Sequence, residues 1–271
     1  MVKAKEKKKT EASAAPARQN KKGGGRRPRR SSFDSRRQSA PSEEWVPKTK
    51  LGKEVAEGKV TDIEKVFREG RKISEAPIFD MLLPNLNSEI ILAGGSTGKG
   101  GGIKRTSFKR TTRMHKSGRR FRISVLVAAG NGNGYIGLEL AKGPPGRHRD
   151  VIEKASRKAK LRIIPIKRGC GSWECNCGTP HSIPYSVKGR SGSVTVELIP
   201  APKGIGLCVS DEIKKMMRLA GINDIWCKSM GNTKARVNFT KAVFDALKKL
   251  NRFKTTEEFD KLSGSITGKG V

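Results

Sequence analysis

"FRISVLVAAGNGNGYIGLEL", residues 121–140, decides the fold. Phe121, Ile123, Val125 and Val127 alternate with Arg122, Ser124 and Leu126, a period of two that fits a strand laid on a core. "GNGNG" then supplies residues that tolerate positive φ, and Tyr135 to Leu140 makes a second short strand, so the stretch predicts a β-hairpin. Past the break at "GPPG", "RDVIEKASRKAKLRI" places Val151, Ala155 and Ala159 on one helical stripe with Ile152 beside it. Lys154, Arg157, Lys158 and Lys160 are left for the other faces. Strand, strand, basic helix and a short apolar run, "RIIPI", lead into a cysteine-rich loop.

Beyond that loop, "SGSVTVELIPAP" reads as a strand with Val194, Val196 and Leu198 on one face. Ser210 is a good N-cap for "DEIKKMMRLAG", whose Asp211 and Glu212 suit the positive end of a helix and whose Gly221 ends it. "DIWCKSM" is a strand candidate. Asn238 is expected to cap a last helix carrying Phe239, Ala242, Val243, Ala246, Leu247 and Leu250 at core spacing, and the final "GSITGKGV" reads as loose. Upstream of the hairpin, Thr61 and Asp62 mark a helix start, with Ile63, Val66 and Phe67 on one face.

A chain of 271 residues holds one large or two small domains. Its charge is the louder signal: 58 Lys+Arg against 25 Asp+Glu give +33, a self-repulsion that a polyanion relieves. Nucleic acid is the leading partner. The longest apolar run, near Ile123 to Ala129, is too short to span a bilayer, and "MVKAKEKKKT" is basic without an apolar segment behind it, so the expected location is cytoplasmic, with no membrane partner. An odd number of cysteines, five, in such a chain argues for reduced thiols or metal ligands over disulfides. Residues 1–44, with "KKGGGRRPRRSSFDSRRQSAPSEE", hold almost no apolar residues and are expected to be a basic arm, disordered until bound.

From Ile90 through Leu138 no acidic residue occurs, while Lys99, Lys104, Arg105, Lys109, Arg110, Arg113, Lys116, Arg119, Arg120 and Arg122 accumulate. A solvated surface mixes signs, so enrichment in one sign over this length points to phosphate contact. "AGGSTGKGG" fails as a phosphate loop. Its first required glycine is Ala93, Gly100 stands where a magnesium-binding hydroxyl should be, and no helix is predicted to follow. Gly132, Gly134 and Gly137 have dinucleotide-loop spacing but lead into a strand. His115 and His148 have no triad-like partners, so no catalytic constellation emerges and the chain is not expected to be an enzyme.

"KRGCGSWECNCGTPHSIP", residues 167–184, gathers Cys170, Cys175, Cys177 and His181, four ligands of the softness that tetrahedral structural zinc prefers. Their spacing, C-x4-C-x-C-x3-H, is tighter than paired C-x2-C knuckles, although Gly169, Gly171 and Gly178 can supply turns. The alternative is three reduced packing cysteines with a histidine that serves RNA or a backbone carbonyl. Cys208 and Cys227 are expected in the core. A free zinc-dependent nucleic-acid-binding regulator is the second functional reading, and an RNA-dependent nucleotide-hydrolysing enzyme the third.

The blocks "RFRISVLVAAGNGNGYIGL", "RDVIEKASRKAKLRIIPIKRG", "GTPHSIPYSVKGRSGSVTVELIPAPKGIGL" and "IKKMMRLAGINDIWCKSMGNTKARVNFTKAVFDAL" together resemble the universal ribosomal protein five family of the small subunit, called small-subunit protein two in eukaryotes. The likeness spans roughly residues 45–250, and the "CGSWECNCG" loop resembles the archaeal branch. The resemblance implies an α+β fold of two small α/β domains, the first like a double-stranded-RNA-binding fold and the second a small βαβα-type domain. The expected division is an arm at 1–44, an extension with a helix at 45–90, a first domain at 91–181 ending in the cysteine loop, a second at 182–251 and a tail at 252–271.

The implied function is structural. It comprises binding small-subunit ribosomal RNA, supporting assembly and decoding accuracy, and lining the channel that admits messenger RNA, beside ribosomal protein families three, four and eight. No cofactor is implied as required. "TTRMHKSGRRFR" resembles the family's RNA-inserting loop, so Arg113, Lys116, Arg119, Arg120 and Arg122 inherit that role; Lys104, Arg105, Lys109, Arg110, Lys154, Arg157 and Lys158 join them as expected RNA contacts. The stretch from Gly94 to Lys109 is longer than relatives usually have, and the arm is long for the archaeal branch.

Overall fold

The structure is a computed structural model describing residues 45–83, 85–97 and 101–268; the expected arm and Lys99 lie outside the described residues. Three short helices come first: α1 (Lys50–Ala56), α2 (Ile63–Arg68) and α3 (Pro77–Leu82). The Thr49 hydroxyl accepts from the Gly52 amide at 3.0 Å and so caps α1, while Asp62 stands at the N-cap of α2 as its sequence predicts. Ile63 of α2 and Phe79 of α3 join Tyr135 and Ile163 in one buried cluster, which fastens this extension beside the glycine turn at residues 131–134.

There follow β1 (Asn87–Ile91), β2 (Gly94–Thr97), β3 (Ile103–Thr106), β4 (Phe108–His115), β5 (Gly118–Gly130), β6 (Tyr135–Gly143), α4 (His148–Lys160) and β7 (Ile164–Pro165). An antiparallel sheet runs β1-β5-β6-β7, with β4 also on β5, and β2 and β3 make a separate ribbon. β1 pairs with residues 126–130 of β5 and β4 with residues 118–125, so the two lie end to end along one edge of β5. Residues 123–130 of that strand are therefore embedded between two neighbours, with β6 on the other edge, while residues 118–122 form a ribbon with β4 alone.

The remaining elements are β8 (Lys167–Arg168), β9 (Val187–Ser191), β10 (Val194–Pro200), β11 (Leu207–Cys208), α5 (Asp211–Ala220), β12 (Ile225–Met230), α6 (Arg236–Leu250), α7 (Glu257–Ser263) and β13 (Ile266–Thr267). The second sheet runs β11-β12-β10-β9, antiparallel except for the parallel pair β11 and β12. Val194, Val196 and Leu198 are buried as expected, as is the apolar stripe of α6. That helix begins earlier than Asn238, because the Asn238 and Phe239 amides both donate to the Ala235 carbonyl, at 2.9 and 3.0 Å; Asn238 belongs to the first turn and does not cap it.

The alternating pattern of β5 is only half of its environment. Ile123, Val125, Val127 and Ala129 pack with Val151, Ala155 and Ala159 of α4. Leu126 and Ala128, on the opposite face, join Met216, Met217 and the second sheet in a single core. The first sheet is thus sandwiched between α4 and α5, and the period-two signal fades where both faces are buried. The glycine turn between β5 and β6 completes the join: the Gly132 amide donates to the Leu219 carbonyl at 2.9 Å and the Gly134 amide to the Ala220 carbonyl at 3.1 Å. Two carbonyls left over at the end of α5 are thereby satisfied. Gly132 and Gly134 hold φ of 69° and 91°, the region that favours glycine.

Residues 264–268 of the expected loose tail belong to a strap, and residues 269–271 lie outside the described residues. Thr256 caps α7, and β13 pairs with β8, placing Ile266 opposite Arg168. Lys167 reaches Asp260 at 2.8 Å, and the hydrogen bonds from Lys167 and Ser265 hold the Asp260 carboxyl at about 2. Buried Arg168 donates to the Asn133 side-chain oxygen at 2.7 Å and to the Gly268 carbonyl at 3.2 Å, tying the glycine turn to the strap. Charged anchors in a glycine-flanked segment escape a reading that looks for apolar periodicity.

Candidate nucleic-acid interface and metal cluster

β4 and the first half of β5 form a ribbon whose residues 109–120 are all exposed. Residues directly opposite one another in an antiparallel pair share a face. Lys109, Thr111 and Arg113 stand opposite Ser124, Arg122 and Arg120, so four cations, Lys109, Arg113, Arg120 and Arg122, occupy one face. Arg113 directly opposite Arg120 is a like-charge pair that costs stability in the free chain; an approaching polyanion turns that cost into attraction. Among the described residues none of these four makes an ion pair with a carboxylate.

The other face of the ribbon carries Phe121, expected on the core side of the strand together with Ile123. It lies instead between two guanidinium groups, Arg110 at 3.6 Å from the ring centroid and Arg119 at 5.4 Å. The ring quadrupole attracts both cations and stiffens the ribbon by side-chain stacking where no core supports it. Arg119 also donates to Thr112 at 3.3 Å and Arg120 to Ser117 at 2.9 Å, ordering the turn that holds Lys116. No acidic residue occurs on the ribbon.

The other expected contacts are spread more widely. Lys104 and Arg105 are exposed on β3, outside the ribbon, and Arg105 faces Glu212 at 3.9 Å. Lys154, Arg157 and Lys158 are exposed on α4, whose opposite stripe of Val151, Ala155 and Ala159 is buried; Arg157 has Glu153 at 3.9 Å. His148 packs edge-on against Phe108, with ring centroids 4.4 Å apart, a packing role and not a catalytic one.

Cys170, Cys175, Cys177 and His181 are brought together, with one ligand atom from each all within 4.8 Å of one another. Four ligands bound about 2.0–2.3 Å from one zinc ion stand roughly 3.3–3.8 Å apart, so a contraction of about 1 Å closes a tetrahedral site. The backbone is suited to hold it. The Gly169 amide donates to the Ser182 carbonyl and the Ser182 amide to the Gly169 carbonyl, both at 3.0 Å, pinching the loop at its neck; the Cys170 amide donates to the Ser263 carbonyl of the strap at 2.8 Å. A Cβ on Gly171 would collide with the Pro184 carbonyl, so the loop needs glycine there.

The thiols are differentiated. Burial pushes Cys170 up to about 11, while the Thr179 hydroxyl, 3.1 Å from the Cys177 sulfur, draws that thiol down to about 6. Thiolate is the form a metal takes. Asp224, a residue the sequence gives no reason to single out, lies 2.9 Å from His181 Nδ1 although 43 positions away. Of the two cysteines expected in the core, Cys227 is half-buried and packs against it, whereas Cys208 is exposed on an edge strand.

Both sheets find counterparts among known families. Residues 104–167 match the family model described as ribosomal protein S5, N-terminal domain, and residues 189–260 the one described as ribosomal protein S5, C-terminal domain. A Nanoarchaeum equitans protein named small ribosomal subunit protein uS5 is 47% identical over 229 residues, covering 83% of this chain and 96% of that relative. The chain belongs to the ribosomal protein S5 family. Further uS5 relatives are those of Thermofilum pendens, 45% identical over 80% of this chain and 100% of the relative, and of Methanocaldococcus jannaschii, 44% over 84% and 97%. These archaeal S5 relatives agree with the branch that the cysteine loop indicated. The S5 family is a structural component of the ribosome and not an enzyme. Among the described residues no helix is long and apolar enough to cross a membrane.

Proposed function

We propose that this S5-family chain binds small-subunit ribosomal RNA with the β4–β5 ribbon as its principal contact and the outer face of α4 as a second. The observation that carries the reading is the projecting ribbon with Lys109, Arg113, Arg120 and Arg122 on one face and no carboxylate among its residues. Arginines there suit bidentate phosphate contacts and stacking on bases, whereas Lys116 and Lys158 act as point charges. Lys104 and the partly neutralised Arg105 are secondary contacts. The organisation is an extension at 45–90, an RNA-binding domain at 91–181, a second domain at 182–251 and a strap from 252, all bound to the ribosome in the cytoplasm. Seated in the subunit, the chain contributes to assembly and decoding accuracy and meets ribosomal protein families three, four and eight and the incoming messenger. Nearly all of the protein is expected to cosediment with small subunits through a moderate-salt gradient; a mostly free pool would contradict the reading.

Cys170, Cys175, Cys177 and His181 are the ligands of a structural zinc ion in this proposal, carried by their convergence within 4.8 Å. Zinc there does no chemistry and fixes the loop between the two domains. Native protein is expected to hold about one equivalent of zinc by elemental analysis; less than about a tenth of an equivalent would exclude the site, since structural zinc binds by about 10–16 kcal/mol.

A further inference from the structure

We infer that Asp224 is the positioning residue of the cysteine–histidine metal site: it sets the protonated nitrogen of His181 and ties metal binding to the Gly204–Gly206 turn. The inference rests on the zinc reading above and deepens it. His181 and Asp224 are both buried, and His181 Nδ1 lies 2.9 Å from Asp224 Oδ2. A carboxylate oxygen only accepts, so the imidazole proton belongs on Nδ1. That leaves the Nε2 lone pair free, and Nε2 is the nitrogen facing the cluster, 3.9 Å from the Cys175 sulfur. A metal-binding histidine needs this arrangement: one nitrogen donating outward, the other open to the ion.

The carboxylate is itself oriented. Its second oxygen, Oδ1, accepts from the Gly206 amide at 2.8 Å and from the Gly204 amide at 3.1 Å. The Asn223 and Asp224 amides donate to the His181 carbonyl at 2.9 and 3.2 Å, so the two segments are joined through backbone as well as side chain. With both glycine amides pointing at Oδ1, the group at that position has to be an acceptor. An asparagine at 224 therefore keeps its carbonyl oxygen on the glycines and turns its NH2 toward His181. Two donors cannot face each other, so the imidazole proton moves to Nε2, where it blocks the metal. Side-chain volume and the turn's hydrogen bonds are preserved while the histidine tautomer is inverted.

The experiment compares native full-length chain with Asp224→Asn and Asp224→Glu. Zinc affinity is read by competition with a chromophoric chelator, the His181 tautomer by nitrogen-15 NMR of the metal-free protein, and the turn by hydrogen exchange at the Gly204 and Gly206 amides. Asp224→Asn is expected to weaken zinc about 10–100-fold, to move the proton from Nδ1 to Nε2, and to leave the protection of both glycine amides within about threefold of native in the metal-free protein. Asp224→Glu, still a carboxylate, is expected to recover the Nδ1 tautomer and part of the affinity. Native-like zinc affinity and an Nδ1 proton in Asp224→Asn would overturn the inference while leaving the metal site standing. Failure of the native chain to bind zinc would remove the metal reading and this inference with it.

Discussion

Replacing Arg113, Arg120 and Arg122 together with alanine is expected to weaken specific binding to small-subunit ribosomal RNA by roughly 100-fold, about 1 kcal/mol per lost contact. All three lie on the one ribbon face, exposed and free of carboxylate partners among the described residues. Their charge is therefore available to phosphate without first breaking an ion pair. The salt dependence should change with the affinity: each phosphate contact contributes about 0.7–0.9 to the slope of log affinity against log salt, so the triple variant should lose roughly two to three units of slope. Nothing in the body depends on these side chains, and removing Arg113 and Arg120 relieves a like-charge pair, so the fold should be unharmed or slightly stabilised. Titration of a labelled ribosomal RNA fragment over a salt series, against excess unrelated RNA, reads both quantities. A loss under about threefold with an unchanged slope would move the interface elsewhere on the chain.

Leu126→Ala should have the largest effect on stability, roughly 2–5 kcal/mol. The side chain is fully buried in a core shared by β5, β6, α5, α6 and the second sheet, so the vacated volume lies in the join between the two domains. Because the core is continuous, hydrogen exchange in β5 and in β10 should shift together to a lower common denaturant midpoint. If only β5 weakened while β10 kept its native protection, the two domains would be independently folded bodies and the shared core would carry little energy.

Much of this architecture is legible in the residues. The β5–β6 hairpin, the buried stripe of α4, the start of α2 just after Asp62 and the glycine end of α5 all follow from local pattern, because each depends on neighbours within a turn or a strand pair. Other features depend on contacts that no local pattern contains. Leu126 and Ala128 read as the weaker face of an alternating strand until α5, far along the chain, covers them. Phe121 reads as core because its place in the alternation is apolar, yet the core stops at Ile123 and the ring becomes a stacking plate for Arg110 and Arg119. The strap is fixed by Asp260 on Lys167 and by the Gly268 carbonyl on Arg168, a hydrogen bond that spans 100 positions. Of the metal cluster, the four ligands are readable from residue type alone, whereas Asp224 becomes visible only when the fold brings the start of β12 beside His181.

Crosslinking the chain to ribosomal RNA inside intact small subunits, then mapping the joined peptides, tests the central claim most directly. Peptides covering residues 109–122 of the ribbon should dominate the crosslinks, with a second, weaker set from the outer face of α4. Crosslinks confined to the second sheet and the strap, with the ribbon left unmodified, would contradict the account.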